Sequence, residues 1–282
     1  MTGMIATPNI TLLTGIPRSG TTLSCSLINK YTDYVALHEP IQPKQILADT
    51  TEQMANNVNQ HLQHLGQVFY SQREVDNGAD SLLVDNPIGD VSKNHLRQVS
   101  AIRATVTVEK HKSTQRLFVK QNAMFTALSA ALKVDYPMLG IIRNPVDVLI
   151  SWLSVELPVN KGRLPAGEKI DANLQQQLAA EGSVFARQCI IYQWFISQFR
   201  DNKIDFVRYE DILNTQGSVL FEKLNVTANK SADITFRTAH SPSTSALKVL
   251  LDHTDEIVAL PLEPYYSQRE IKQRLDWLAS QS

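Results

Sequence analysis

Two hydrophobic patterns alternate along this chain. Short apolar runs sit at Asn9–Leu13, Tyr34–Leu37, Ser81–Val84, Arg116–Val119, Met138–Ile142 and Ile204–Val207. Runs of this length without a polar face fit strands buried on both sides, as in a parallel sheet. Between them, apolar residues recur at three- and four-residue steps, the period of a helix with one buried face. Lys44–Gln72 is the longest such stretch, from Ile46 and Leu47 through Met54, Val58 and Leu62 to Phe69. The same period predicts helices over Ala123–Leu132, Val146–Ser154, Ser218–Leu224 and Glu270–Leu278, and one long helix or two shorter ones over Ala172–Phe199. Leu23, Leu27 and Ile28 give an apolar face to a further helix after the first strand. Asn94–Val108 fits neither pattern. Val155–Lys169, with its Pro and Gly residues, and Thr238–Ser245, rich in Ser and Thr, read as loops. Strands alternating with helices predict an α/β fold: a central parallel sheet flanked by helices, in three layers.

Composition adds bounds. The chain has 282 residues, 43% of them hydrophobic, enough for one large α/β domain or two small ones. Its formal net charge of −1, with no block of like charge, argues against a nucleic-acid partner, which would normally need a basic face. The first residues lack a charged leader and a signal-length apolar run, and no stretch is apolar enough for a membrane span. The expectation is a cytoplasmic protein in which Cys25 and Cys189, far apart in sequence, stay as reduced, partly buried thiols. His61 and His64 lie on a polar helix without a carboxylate partner, so no metal site is expected. Trp152 and Trp194 read as core residues.

The candidate chemistry gathers where strands end. After the first run come Gly15, Ile16, Pro17, Arg18, Ser19, Gly20, Thr21 and Thr22, leading into a helix. A Gly-bounded loop opening a helix aims backbone N–H groups and the positive end of the helix dipole at one anion. The two Gly residues have P-loop spacing, but Thr21 stands where an ATP-binding loop has Lys, and the cation is Arg18 inside the loop. Arg143 leaves the end of Met138–Ile142, and Ser151 comes eight residues later in the next helix, where the two could share a second anion. By themselves an Arg at a strand end and a helical Ser are ordinary. Glu39 ends the Tyr34–Leu37 segment ahead of Pro40, which favours an extended predecessor. In an extended segment His38 and Glu39 point to opposite faces, so one of the two should face the cleft. Lys120 ends the Arg116–Val119 run, where it is equally readable as a surface cation.

Taken together, these segments resemble one family. Gly15–Thr22 (GIPRSGTT) is similar to the 5′-phosphosulfate loop of sulfotransferases that use 3′-phosphoadenosine 5′-phosphosulfate (PAPS). Ile141–Trp152 (IIRNPVDVLISW) resembles their 3′-phosphate segment, and Val207–Leu213 (VRYEDIL) their strand with a Tyr near the nucleotide. The PRSGTT form and the acidic residue nineteen positions after Gly20 look most like tyrosylprotein sulfotransferases and related bacterial enzymes. The resemblance covers roughly residues 9–225 and implies a single P-loop sulfotransferase domain over 1–282. It implies that Pro17, Arg18, Ser19, Gly20, Thr21 and Thr22 hold the phosphosulfate, Arg143 and Ser151 the 3′-phosphate, and that Tyr209 lies near the adenosine. It further implies catalysis by Glu39 as general base, with His38 as the competitor, and by Lys120 and Arg18 at the leaving oxygen. The products would be adenosine 3′,5′-bisphosphate and a sulfated small molecule, carbohydrate or peptide, with no metal required. Two other readings stay open: a P-loop kinase or NTPase, against which the Thr at position 21 counts, and a nucleotide-binding module without activity.

Overall fold

The computed structural model describes residues 9–71, 116–229 and 243–281 in full, and the backbone alone of residue 72 and of four short strands between 73 and 115. Five strands form one parallel sheet: β1 (Ile10–Gly15), β2 (Val35–His38), β7 (Leu117–Lys120), β8 (Met138–Ile142) and β9 (Asp205–Arg208). Their order is β2-β7-β1-β8-β9. Two antiparallel pairs lie apart from it, β3 (Glu74–Asp76) with β6 (Thr105–Thr107) and β4 (Ile88–Val91) with β5 (Arg97–Val99). The Ser81–Val84 run falls outside the described residues.

The central strands are largely apolar because both their faces are covered. Ile10, Leu12, Val35, Leu37, Leu117 and Val119 pack into one cluster; Leu13, Ala36, Phe118, Leu139 and Ile141 pack into another on the opposite face. This is strand alternation applied to a sheet between two helical layers. Helix α1 (Thr21–Tyr31) covers the second face, together with α9 (Tyr209–Asn214) and α10 (Ser218–Leu224). On the other lie α2 (Thr51–Gln72), the short α3 (Ala123–Ala127) and α4 (Ser129–Leu132), α5 (Pro145–Leu153) and α8 (Val184–Asp201). Three α/β layers result, as the pattern predicts. Among the described residues no helix is long and apolar enough to cross a membrane.

Several boundaries differ from the sequence expectation, each for a local reason. Helix α2 begins at Thr51 rather than Lys44, because the Thr50 hydroxyl caps it by accepting from Gln53 N. Ala123–Leu132 is split at Leu128 into α3 and α4. Val155–Lys169 is not a plain loop: Pro158 opens a 3-10 turn and Pro165 opens α6 (Pro165–Ile170), Pro being well suited to the first helical position. Ala172–Phe199 divides into α7 (Ala172–Ala180) and α8, the latter capped by Ser183. Thr244 and Ser245, expected in a loop, start α11 (Thr244–Asp252), capped by Ser243 and followed by α12 (Thr254–Val258). Residues 238–242 lie outside the described part.

The last helix, α13 (Gln268–Ser280), starts with a capping box between Ser267 and Glu270. The Glu270 carboxylate accepts from Ser267 N and Oγ, both at 2.8 Å, and from Arg208 Nη2 at 2.7 Å. The Ser267 N–H first, and then Arg208, hold its pKa down to about 2. A folded-state pKa below the unfolded value of 4.5 stabilises the fold above pH 4.5 and loses that effect as the pH falls towards 2. The side chain is 38% exposed, so its contribution is discounted to about 1 kcal/mol. Glu270→Gln should therefore lower Tm by ~2–4 °C at neutral pH. The gap should narrow below pH 4.5; thermal melts across pH 3 to 7 check this, and a gap constant with pH would contradict it.

Candidate functional site

All five parallel strands run towards one edge, and each leaves a chemically equipped residue there. The register sets Lys120 beside both Leu13 and His38, Gly15 beside Ile141, and Ile142 beside Arg208. Glu39, the loop after Gly15, Arg143 and Tyr209 come directly after their strands. Ligands of open α/β sheets bind at this carboxyl edge, where connections diverge to either side. Here β1 is the diverging strand, since α1 leads from it to β2 while β8 lies on its other flank.

The loop is held in shape by its surroundings. A Cβ on Gly15 would stand 2.4 Å from Ile141 O, and one on Gly20 would stand 2.3 Å from the Tyr209 ring. Gly20 also has φ +92°, so it is required both for conformation and for the approach of Tyr209. Ser19 is fully buried: its hydroxyl donates to Ile141 O at 2.7 Å and its N–H to Ile16 O at 3.0 Å. Ser19 thus builds the loop instead of facing the cleft. The Trp152 indole N–H donates to Pro17 O at 2.8 Å, so this core residue also braces the loop. Gly20 gives α1 no side-chain cap, and its first turn carries no acid. That end of the helix keeps its positive dipole for an outside anion.

Arg18 and Arg143 flank this loop. Arg18, at φ +74°, donates from Nε to Ser151 Oγ at 3.2 Å. Arg143 donates from Nη1 to Arg18 O at 3.3 Å and lies 4.5 Å over the Tyr209 ring. The four residues Arg18, Arg143, Ser151 and Tyr209 therefore form one cluster, although they come from three distant segments of the chain. Arg143 itself is fixed from behind, with Tyr192 Oη donating to its carbonyl at 2.6 Å and Asn144 N donating to Glu210 at 2.8 Å. Tyr266 Oη donates to the other Glu210 oxygen, also at 2.8 Å. Burial first, and then Glu210, push the Tyr192 and Tyr266 hydroxyls up, so both remain protonated donors.

At the other flank the structure corrects the expectation for His38 and Glu39. Glu39 is not extended; its φ is +52°, in the left-handed region. This breaks the strand alternation, and both side chains reach Lys120. Lys120 Nζ donates to Glu39 Oε1 at 2.7 Å and stands 3.3 Å from His38 Nε2. His38 Nε2 is in turn 3.0 Å from Thr22 Oγ1, in the first turn of α1. Lys120 is no surface cation: it is 2% exposed, whereas the Glu39 side chain is 40% exposed. A buried ammonium requires a paired anion, and that requirement offsets the ~1 kcal/mol strain of a left-handed Glu. Cys25 lies close enough below for Lys120 and Glu39 to act on it, but burial pushes its thiol up to about 12, so it stays neutral.

Sequence reasoning missed Tyr192, Glu210, Tyr266 and the pair that Arg274 of α13 makes with Asp147 of α5. Glu210 and Asp147 sit inside motifs already singled out, so their proximity was readable. Tyr192, Tyr266 and Arg274 carry no local signal, since only the fold brings them near. His61 and His64 lie on the outer part of α2, and among the described residues no group of three or more His, Cys, Asp or Glu could hold a metal.

A family model described as "Sulfotransferase domain" matches residues 8–220. No curated protein matches the chain.

Proposed function

The chain belongs to the sulfotransferase family, and from that premise we propose that it moves a sulfuryl group from PAPS to an acceptor hydroxyl. The observation that carries this reading is the division of positive charge between two neighbouring stations. One is the uncapped start of α1 flanked by Arg18, whose Nε donates to Ser151; the other is Arg143 beside it, over the Tyr209 ring. An ATP loop would put a Lys at position 21 to serve a linear polyphosphate. A nucleotide with a 5′-phosphosulfate and a separate 3′-phosphate needs two stations. In this reading the backbone of Gly20, Thr21 and Thr22 and the Arg18 side chain take the first group, with Pro17 and Ser19 shaping the loop. Arg143 and Ser151 take the second, and Tyr209 lies by the adenosine.

When bound, PAPS supplies an SO3 group on a phosphate oxygen that leaves as part of adenosine 3′,5′-bisphosphate. The residues act around that exchange. Glu39, the more exposed partner of the ion pair, accepts the proton of the acceptor hydroxyl as its oxygen bonds to sulfur. Lys120 and Arg18 offset the negative charge that gathers on the departing oxygen as the S–O bond breaks. His38, hydrogen-bonded between Thr22 and Lys120, is better suited to holding these groups in register than to removing the proton. We take residues 1–282 as one domain, because α13, beyond the family match, ties onto α5 and β9. Small molecules, carbohydrates and peptide tyrosines are the acceptor classes.

The test is label transfer. Incubated with acceptor pools in EDTA, PAPS carrying a labelled sulfuryl group should pass its label to a hydroxyl acceptor, while γ-labelled ATP with magnesium should pass none. Transfer from ATP alone would make the chain a kinase. Nucleotide binding without transfer from either donor would make it a non-catalytic module.

A further inference from the structure

Arg274 lies on α13, outside the residues that the family model matches. Its guanidinium takes both oxygens of Asp147: Nε is 3.2 Å from Oδ1 and 3.0 Å from Oδ2, and Nη2 is 2.6 Å from Oδ1. Its plane lies 4.2 Å over the Trp277 ring, which fixes the approach. Asp147 lies in the first turn of α5, four positions after Arg143, which precedes the helix, and is 9% exposed. Arg143 Nη2 comes to 3.7 Å from the same Oδ1, farther than a hydrogen bond.

A carboxylate this close to an arginine attracts it as an ion-pair partner. In half-buried surroundings the attraction is stronger than at an open surface. Without another cation, Asp147 would draw Arg143 into a direct pair and compete with any phosphate for it. The geometry points to Arg274 as a positioning residue that occupies Asp147, so that Arg143 stays over Tyr209 and beside Arg18 with its charge directed to a phosphate. This rests on the reading of Arg143 as the 3′-phosphate ligand.

The pair of charges gives a test that a merely structural role does not pass. Wild type, Arg274→Met, Asp147→Asn and the double variant are titrated with adenosine 3′,5′-bisphosphate and with adenosine 5′-monophosphate, which lacks the 3′ group. Arg274→Met should lose roughly tenfold in affinity for the bisphosphate, a size common for coupled neighbours, and keep its affinity for the monophosphate. Adding Asp147→Asn removes the competing carboxylate and should restore the wild-type ratio. A double variant as weak as Arg274→Met, or both nucleotides weakening together, would overturn the inference. A wild-type ratio near one would remove the reading of Arg143 itself, and this inference with it.

Discussion

Replacing Lys120 with Met should cut turnover by ~10²–10³-fold while nucleotide affinity stays near wild type. Lys120 Nζ is the buried cation at the centre of the Glu39–Lys120–His38 group, and its pairing with Glu39 holds that carboxylate at the sheet edge. On the proposed reading its charge acts when charge builds on the departing oxygen, so the loss should fall on kcat rather than on binding. Met keeps most of the length and packing of the side chain. Removing one partner of a buried pair is costly when the charge left behind stays buried, but here the charge left behind is that of Glu39, whose side chain is 40% exposed and stays solvated. The melting temperature should therefore hold while turnover falls, which separates a lost cation from a lost fold. Turnover above a tenth of wild type would exclude Lys120 from the reaction.

The second large effect concerns binding. Arg143→Met should weaken adenosine 3′,5′-bisphosphate by roughly 100-fold, the scale of charge-assisted hydrogen bonds to a phosphate. The Met side chain keeps contact with the Tyr209 ring, so the position of that ring is little disturbed. Affinity for adenosine 5′-monophosphate should stay close to wild type. Calorimetric titration of both nucleotides checks the split, and equal losses would mean that Arg143 supports the cleft in general instead of one phosphate.

Much of this site was legible because its residues end strands. A buried parallel strand is a run of apolar residues, and the residues just after the run arrive at the sheet edge. Gly15–Thr22, Arg143 and Lys120 could be located that way before any packing was known. Glu39 was found but not its conformation: alternation assumes an extended chain, and the Lys120 ammonium draws Glu39 out of it. The motif places Ser19 at the anion with its neighbours, but its hydroxyl turns inward to Ile141 O. Local sequence fixes the run, not the rotamer. Tyr192, Tyr266 and Arg274 were out of reach, since they act from helices and turns that only tertiary packing brings to Arg143, Glu210 and Asp147. The start of α11 falls in the Ser- and Thr-rich stretch that reads as a loop, because Ser243 is its cap.

The central claim is that this loop serves a nucleotide with two separate anionic groups, not a magnesium-bound triphosphate. Titration of the wild-type chain with adenosine 3′,5′-bisphosphate in EDTA, beside ATP with magnesium, tests it most directly. A saturable isotherm for the bisphosphate and none for ATP is the expected result. Tight ATP binding that requires magnesium, with no heat from the bisphosphate, would contradict it.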